Sequence, residues 1–235
     1  LTMLLSEFFE HLTFGELSQL FLTGNGVEIE AREYPKIAAH LNLALTALFT
    51  RFNLRQEEAL IQQYDQISLY HLRPQFAVNS GSAELTKYIV DTVGQPFVPN
   101  ILKIEEVFAE DGTSIPLNDA RDTTSIYTPH FDTLQILNPV ATNMVSVLYR
   151  ANHDKVVITP SSDLSIINLE IPAFLITPIC YFMANNLITP LAGENEGTGN
   201  NYLAKYEQAC QSILMEGLFN KVTYGDNRLI DNGWV

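Results

Sequence analysis

Residues 101–115 read ILKIEEVFAEDGTSI, and this stretch indicates how the middle of the chain folds. Apolar and β-branched residues come before its acidic centre, and a second strand-like run starts at Ser114. Asp111-Gly112, between the two runs, is the strongest short-range signal for a β-hairpin, because both residue types accept the positive φ angles of a tight turn. The stretch therefore predicts two antiparallel strands joined by a turn.

The same region is rich in carboxylates. They are Glu105, Glu106, Glu110, Asp111, Asp119 and Asp122. A calcium loop requires acidic or amide side chains at alternate positions and a distal Glu, and the residues from Gly112 to Ile115 break that spacing. We interpret the region as an acidic hairpin with solvated carboxylates at its base. Its tip, Glu110, Asp111 and Gly112, is a candidate partner-binding site, because a projecting two-stranded ribbon pairs readily with a neighbouring chain.

Other short segments extend the β pattern on both sides of the hairpin. They are EALIQQYDQISLYHL (58–72), TLQIL (133–137), MVSVLYRA (144–151), KVVIT (155–159) and SIINLEI (165–171). Each is β-branched or aromatic, and prolines and other turn residues separate them. Strands are expected on both sides of Asp65. Together these segments predict a β-rich domain over 55–167.

The first segment, 1–54, has a helical period. Apolar residues in LLSEFFEHL recur at helical spacing, and Thr13 with Glu16 forms a capping-box pattern that predicts a new short helix at Thr13. A longer helix is expected after Pro35, which suits a first turn. Its apolar face consists of Ile37, Leu41, Leu45, Leu48, Phe49 and Phe52.

The helical period returns in 168–218. Pro172 suits a first turn, and Pro178 is expected to kink the apolar helix that follows. A last helix presents one apolar face, made of Leu203, Tyr206, Cys210, Ile213 and Leu214. Both cysteines, Cys180 and Cys210, fall in helical patterns, so reduced and buried thiols are expected.

These patterns predict an α+β fold in which both chain ends form one helical bundle. The bundle comprises 1–54 and 168–218, and the β-rich domain 55–167 is inserted between them. Residues 219–235 have neither period and are interpreted as an extended C-terminal arm. Its apolar side chains are candidate partner-binding residues, because buried aromatic side chains are common interface anchors. They are Tyr224, Leu229, Ile230 and Trp234.

The charge of the chain argues against nucleic-acid and membrane binding. The 235 residues contain 27 acidic and 13 basic side chains, which gives a formal net charge of −14. Acidic residues outnumber basic ones along the whole chain, so no basic patch is available to grip phosphates. Prolines interrupt the longest apolar run, which is therefore not a membrane span. The first residues lack the basic stretch of a secretory signal, and we expect none.

Patterns typical of catalysis are weak. His130 with Asp132 and His153 with Asp154 could supply a general base or metal ligands, but no second His follows at helical spacing. The sequence contains no nucleophile elbow, phosphate loop or dinucleotide fingerprint. We therefore predict no enzyme activity, no catalytic residues, no metal site and no cofactor.

Five segments together resemble a known family. They are LTFGELSQL, YPKIAAHLNLALTALFTRFNL, NILKIEEVFAEDGTSIPLND, TLQILNP and YRANH, in this order. In this order they resemble the head-to-tail adaptor (head-completion or connector) proteins of tailed bacteriophages, especially short-tailed ones. The resemblance spans most of the chain and rests on helix and hairpin patterns, while the Pro-containing LITPICYF departs from it.

The resemblance implies a structural protein of the virion. Its copies, typically twelve, would form a ring under the portal vertex of the capsid and join it to the tail. The implied partners are the chain itself, the portal protein and a tail tube or nozzle protein. Double-stranded DNA would pass through the ring without specific binding, and no membrane is involved. A ring needs head-to-tail contacts, so each subunit must present two different faces.

Two alternatives remain open from the sequence. The chain could be another phage structural protein, such as a tail or collar component. It could also be a ligand-binding or hydrolytic β domain on a helical support, with His130 and Asp132 at its site. Imaging and mass measurement would separate a ring from a monomer that holds a metal.

Overall fold

The computed structural model describes residues 3–15, 29–84, 86–188 and 197–218. The helices are α1 Leu5–Phe14, α2 Tyr34–Arg51, α3 Ile176–Ile188 and α4 Gly197–Met215. The strands are β1 Met3–Leu4, β2 Gln56–Gln62, β3 Leu69–His71, β4 Ile89–Val90, β5 Ile101–Ala109, β6 Ser114–Ile115, β7 Tyr127–His130, β8 Thr133–Gln135, β9 Met144–Ala151 and β10 Asn168–Leu169. Single 3-10 turns occupy Ala31–Glu33, Pro74–Phe76 and Ala173–Leu175.

The chain divides into two compact units. The first combines both ends of the chain, Leu1–Ala44 with Val156–Val235, and the second is Leu45–Lys155. The fold is mixed α+β, with helices from both ends and an antiparallel β region between them in the sequence, as predicted. The predicted arm, 219–235, lies outside the described residues.

In the first unit, the start of α1 is anchored by the segment around β10. The N–H of Leu5 donates to the carbonyl of Ile167 at 2.9 Å, and β1 pairs antiparallel with β10. The predicted apolar face of α1 is buried, and Phe9 packs edge-on against Tyr34 with ring centroids 5.3 Å apart. The helical spacing read from the sequence therefore marks the side of α1 that is removed from water.

The other helices of this unit pack through apolar faces. α3 packs against α4 and α2. Phe182 of α3 meets Tyr206 of α4 edge-on at 5.3 Å, and Cys180 and Cys210 are both buried as free thiols. None of the described helices combines the length and apolar character needed to cross a bilayer.

The second unit contains two antiparallel sheets. The larger has the strand order β4-β2-β9-β5-β6, and the smaller has the order β3-β8-β7. β2 and β9 pair over seven residues, from Gln56 opposite Arg150 to Gln62 opposite Met144. Because side chains alternate along each strand, one face of the large sheet is apolar and buried.

One hydrophobic core lies between these two sheets. The large sheet contributes Ile61, Val107, Val145, Val147 and Tyr149, and the small sheet contributes Tyr70 and Leu134. Two buried tyrosines also satisfy backbone groups. The hydroxyl of Tyr70 accepts the N–H of Tyr64 at 2.9 Å, and that of Tyr88 accepts the N–H of His71 at 2.8 Å.

The structure corrects the predicted start of a helix at Thr13. α1 continues to Phe14, so Thr13 lies inside it, and its hydroxyl donates to the carbonyl of Phe9 at 2.8 Å. A Ser or Thr hydroxyl can bond to the turn before it as readily as it caps a new helix. Glu16, the other half of the predicted capping box, lies outside the described residues.

Two expectations for the C-terminal helices are also wrong in part. α3 starts at Ile176, which puts Pro178 in its first turn, where no N–H is needed and no kink follows. Pro172 precedes the 3-10 turn Ala173–Leu175. On α4, Tyr206, Cys210 and Ile213 are buried, but Leu203 and Leu214 are about half exposed.

Two predicted strands are absent or short in the described residues. KVVIT (155–159) forms no strand, because the side chain of Asn42 takes the place of a partner strand. Its Oδ1 accepts the N–H of Val156 at 2.9 Å, and its Nδ2 donates to the carbonyl of Val156 at 2.8 Å. SIINLEI (165–171) contributes only Asn168–Leu169, which pairs with β1.

Candidate interaction surface at the β5–β6 turn

The turn between β5 and β6 is the hairpin predicted from Asp111-Gly112. β5 and β6 pair antiparallel, and the N–H of Ala109 donates to the carbonyl of Thr113 at 2.9 Å. Gly112 has φ +82°, a conformation that L side chains rarely adopt. Asp111 Oδ1 accepts the N–H of Thr113 at 2.9 Å, and this bond lowers the pKa of the Asp111 carboxyl.

Glu110 ties this turn to the large sheet. Its Oε1 accepts the N–H of Met144, the first residue of β9, at 2.6 Å. A carboxylate that accepts a backbone N–H makes a charge-assisted bond, which is stronger than one between neutral groups. The turn is therefore held against the start of β9.

The structure corrects the expectation of a projecting ribbon. β6 is two residues long and pairs only with Val107 and Phe108, whereas β5 is a nine-residue strand inside the sheet order. β5 pairs with β9 over a much longer stretch than with β6, and the apolar residues of β5 belong to the core. The hairpin is confirmed, but it forms part of the sheet.

The expectation of solvated carboxylates at the base of the hairpin is wrong for Glu105. Its side chain is 17% exposed and forms ion pairs with Arg150 Nη2 at 2.7 Å and with Lys103 Nζ at 3.0 Å. Burial raises the pKa of a carboxyl. The bond from Lys103 and the charge of Arg150 outweigh that effect and lower the pKa of Glu105.

The turn borders a shallow concavity on the outer face of the large sheet. The concavity has a volume of about 460 Å³. Its lining includes Leu60, Phe108, Met144, Glu58, Glu110 and Gly112. We call this surface the turn face. Two of the predicted partner-binding residues, Glu110 and Gly112, therefore lie beside apolar side chains of three strands.

The turn face is apolar at its centre and acidic at its rim. Leu60 lies opposite Ser146, which lies opposite Phe108, so the three side chains form one row across the sheet. Glu58 is exposed beside this row, and its Oε1 accepts the hydroxyl of Ser146 at 2.5 Å. Partly exposed apolar groups with a polar rim are typical of protein–protein interfaces.

Of the first pair considered for catalysis, Asp132 is engaged in structural contacts. Asp132 accepts bonds from Arg73 Nε at 3.1 Å and from the hydroxyl of Thr133 at 3.0 Å, while His130 lies at the exposed end of β7. Burial opposes ionisation of Asp132. The bonds from Arg73 and Thr133 outweigh it, so the pKa is lowered. His71, which the sequence analysis did not single out, reaches Thr133 Oγ1 with Nδ1 at 3.1 Å.

The second pair, His153 and Asp154, is held in the same way. His153 Nε2 lies 3.2 Å from Thr46 Oγ1, and its ring packs edge-on against Phe49. Asp154 forms an ion pair with Arg55 at 3.1 Å. Within the part of the chain that the structure describes, no group of three or more His, Cys, Asp or Glu side chains is placed to hold a metal ion.

The remaining predicted partner-binding residues, Tyr224, Leu229, Ile230 and Trp234, lie outside the described residues. Comparison with known proteins gives no match, either to a protein-family model or to a curated protein. The function is therefore inferred from the residues and from the geometry of the turn face.

Replacing Gly112 by Ala should lower the free energy of unfolding by about 1 kcal/mol, because an L side chain at φ +82° is strained even though the added methyl meets no atom. The matched control is Gly94→Ala, which also places its methyl in open space but lacks a positive φ. Urea denaturation followed by circular dichroism would measure both. Equal effects of the two substitutions would contradict the assigned turn geometry.

Proposed function

We propose that this chain is a structural protein of a tailed phage, a head-to-tail adaptor whose copies form a ring between the portal vertex and the tail. The turn face is the observation that carries the proposal. It combines apolar side chains from three strands with an acidic rim, and two of the residues expected to bind a partner lie on it. A subunit of a ring needs such a surface, in addition to a different one on its other side.

The charge distribution supports the same role. A net charge of −14 gives the chain a field that repels phosphates, and a ring that lets DNA pass must not hold it. Arg150, Arg73 and Arg55, all in the β unit, are each bound to a carboxylate. Basic side chains paired in this way are poor contacts for a nucleic-acid backbone.

The fold gives further support through its two units. Helices from both chain ends form one unit, and the inserted β region forms the other. A chain with two units can use different surfaces to contact other copies of itself, the portal protein and the tail. The five segments that resemble phage adaptors fall in both units and follow the same order along the chain.

The test is assembly of the full chain, alone and with tailless heads that carry a portal. Mass photometry should detect a closed oligomer of defined mass, and negative-stain images should show a ring with a central opening at one vertex. A monomer that binds no heads would overturn the proposal. An open filament would instead favour a tail-tube protein.

A matched pair of variants ties the result to the turn face. Phe108→Asp places a charge among the apolar side chains of the turn face, whereas Phe131→Asp changes an exposed Phe in the loop between β7 and β8. We expect Phe108→Asp to abolish ring formation while the circular dichroism spectrum stays that of the wild type. Phe131→Asp should assemble normally. Normal assembly of a folded Phe108→Asp variant would remove the turn face from the proposal.

A further inference from the structure

In the large sheet, β2 and β5 both extend beyond the short edge strands β4 and β6. These two uncovered stretches differ in how readily they can pair with another strand. On β5, the pairing with β9 shifts register between Ile101 and Lys103 and again between Ile104 and Glu106. Bulges of this kind, together with charged side chains, hinder the addition of a strand. β2 has no such irregularity, because its seven pairs with β9 follow one register.

The open part of the β2 edge is Gln56–Ala59, since β4 covers only Leu60 and Ile61. The N–H of Gln62 donates to the carbonyl of Tyr88 at 2.8 Å, so the even-numbered residues of β2 direct their backbone groups towards the β4 side. Gln56 and Glu58 continue this pattern beyond the end of β4. By this alternation, their backbone N–H and C=O groups face away from β9 and towards the side that β4 leaves uncovered.

A groove runs along this edge, with the loop 91–98 as its far wall. The volume of the groove is about 640 Å³, which is in the usual range for binding sites. Asp91 holds the loop in place, because its carboxylate accepts the N–H of Asn79 at 2.9 Å and that of Phe97 at 3.1 Å. A short turn, with the N–H of Gln95 on the carbonyl of Thr92 at 3.1 Å, shapes its tip.

The walls of the groove are apolar, with carboxylates at the edge. Leu60, Val90 and Val98 are 39%, 40% and 47% exposed, so their apolar surface remains available. Arg55 is the basic side chain of the lining, and it is paired with Glu57 at 2.6 Å. Glu58 and Asp91 leave the groove with an excess of negative charge.

We propose that this edge groove binds the C-terminal arm, residues 219–235, of a second copy of the chain as an added strand. The proposal rests on the proposed function, in which copies of the chain are neighbours. Val222, Thr223 and Tyr224 are strand-forming residues. With Lys221 they match the four open residues of β2, a length of roughly 13 Å in extended chain.

The chemistry of the arm complements that of the groove. In an added strand, Val222 and Tyr224 lie on one face and cover the apolar wall, while the backbone pairs with Gln56 and Glu58. The arm contains two basic residues, Lys221 and Arg228, and two acidic ones, Asp226 and Asp231. Lys221 belongs to the added strand and is the basic side chain that would meet Glu58. The arm thus supplies strand-forming residues and an apolar anchor, with one basic side chain inside the added strand.

The test uses the chain truncated after Leu218 and a fluorescent synthetic peptide of residues 219–235. The peptide should bind, as measured by fluorescence anisotropy, and hydrogen exchange should show new protection at the amides of Gln56 and Glu58. A peptide of scrambled order should bind at least roughly tenfold more weakly, because it loses the alternation and the aromatic anchor. Absence of binding by the native peptide would overturn the proposal.

Two changes locate the binding site. In the protein, Glu58→Pro removes the N–H that faces the groove, while the bonds of β2 to β9 come from the odd-numbered residues. In the peptide, Tyr224→Asp removes the anchor and leaves the protein unaltered. Each should weaken binding roughly tenfold or more. Undiminished binding of the Tyr224→Asp peptide, or protection at other amides, would contradict the assignment.

The full-length chain separates this proposal from the proposed function. Protection of Gln56 and Glu58 that appears only with oligomer formation supports exchange of arms between copies, whereas protection in the monomer would overturn the role of a second copy. Rings formed by the truncated chain without peptide binding would overturn the groove assignment and leave the adaptor function intact. Peptide binding by a chain that never assembles would support the groove and contradict the adaptor function.

Discussion

Replacing Leu134 by Ala is expected to lower the free energy of unfolding by about 2–5 kcal/mol, which is the range for deleting a buried leucine side chain. Leu134 lies on β8, is 0% exposed and packs in the core between the two sheets. The large sheet supplies Val107 and Val147 to the same core, and both are fully buried. A cavity here therefore weakens the contact on which the β unit depends.

The matched control is Leu137→Ala, three residues along the chain, because Leu137 is 50% exposed. It should change the free energy of unfolding by less than about 1 kcal/mol. Urea denaturation followed by circular dichroism would measure both variants. Similar midpoints for Leu134→Ala and Leu137→Ala would show that Leu134 is not a core residue.

The sequence predicts the individual elements well where one physical pattern dominates. The α2 face is an example, since Ile37, Leu41 and Leu48 recur at helical spacing and are all fully buried. The Asp111-Gly112 turn is another, because a positive φ restricts the residue type strongly. In both cases the pattern is local, so neighbouring residues are sufficient to reveal it.

Pairing over long distances is not visible in the sequence. The segment 58–72 was expected to contain two strands around Asp65, and β2 and β3 are present there. These two strands nevertheless belong to different sheets, β2 beside β9 and β3 beside β8. Strand propensity indicates a pleated, half-buried surface without naming the partner strand.

The candidate surfaces show the same division. Glu110 and Gly112 were identified from the turn itself, but their neighbours on the turn face, Leu60 and Met144, come from strands far away in the sequence. The open edge of β2 depends on where β4 ends, which is also a long-range property. Single-residue signals can therefore identify part of an interface, whereas its apolar remainder requires the fold.

Glu105→Gln is expected to destabilise the protein by about 2 kcal/mol at pH 7. Removing one partner of a fully buried ion pair costs about 3–5 kcal/mol. The cost expected here lies below that range, because the side chains of Glu105 and Arg150 are each still 17% exposed. The substitution leaves Arg150 without the carboxylate that lies 2.7 Å away, although its Nη1 still donates to the carbonyl of Thr50 at 2.7 Å. Lys103→Met, at a partner that is 65% exposed, is the control and should cost less than about 1 kcal/mol.

The pH dependence gives this prediction a second readout. Because the pKa of Glu105 is lowered in the folded protein, its contribution is complete above the unfolded value of about 4.3 and is lost as the pH falls through the folded value. Between pH 7 and pH 3 the wild type should therefore lose more stability than Glu105→Gln, and the difference between the two proteins should shrink. Denaturation midpoints measured across this range would test it. A difference that stays constant with pH would mean that the carboxylate charge is not what stabilises this part of the sheet, and that Arg150 is held by Thr50 and its packing alone.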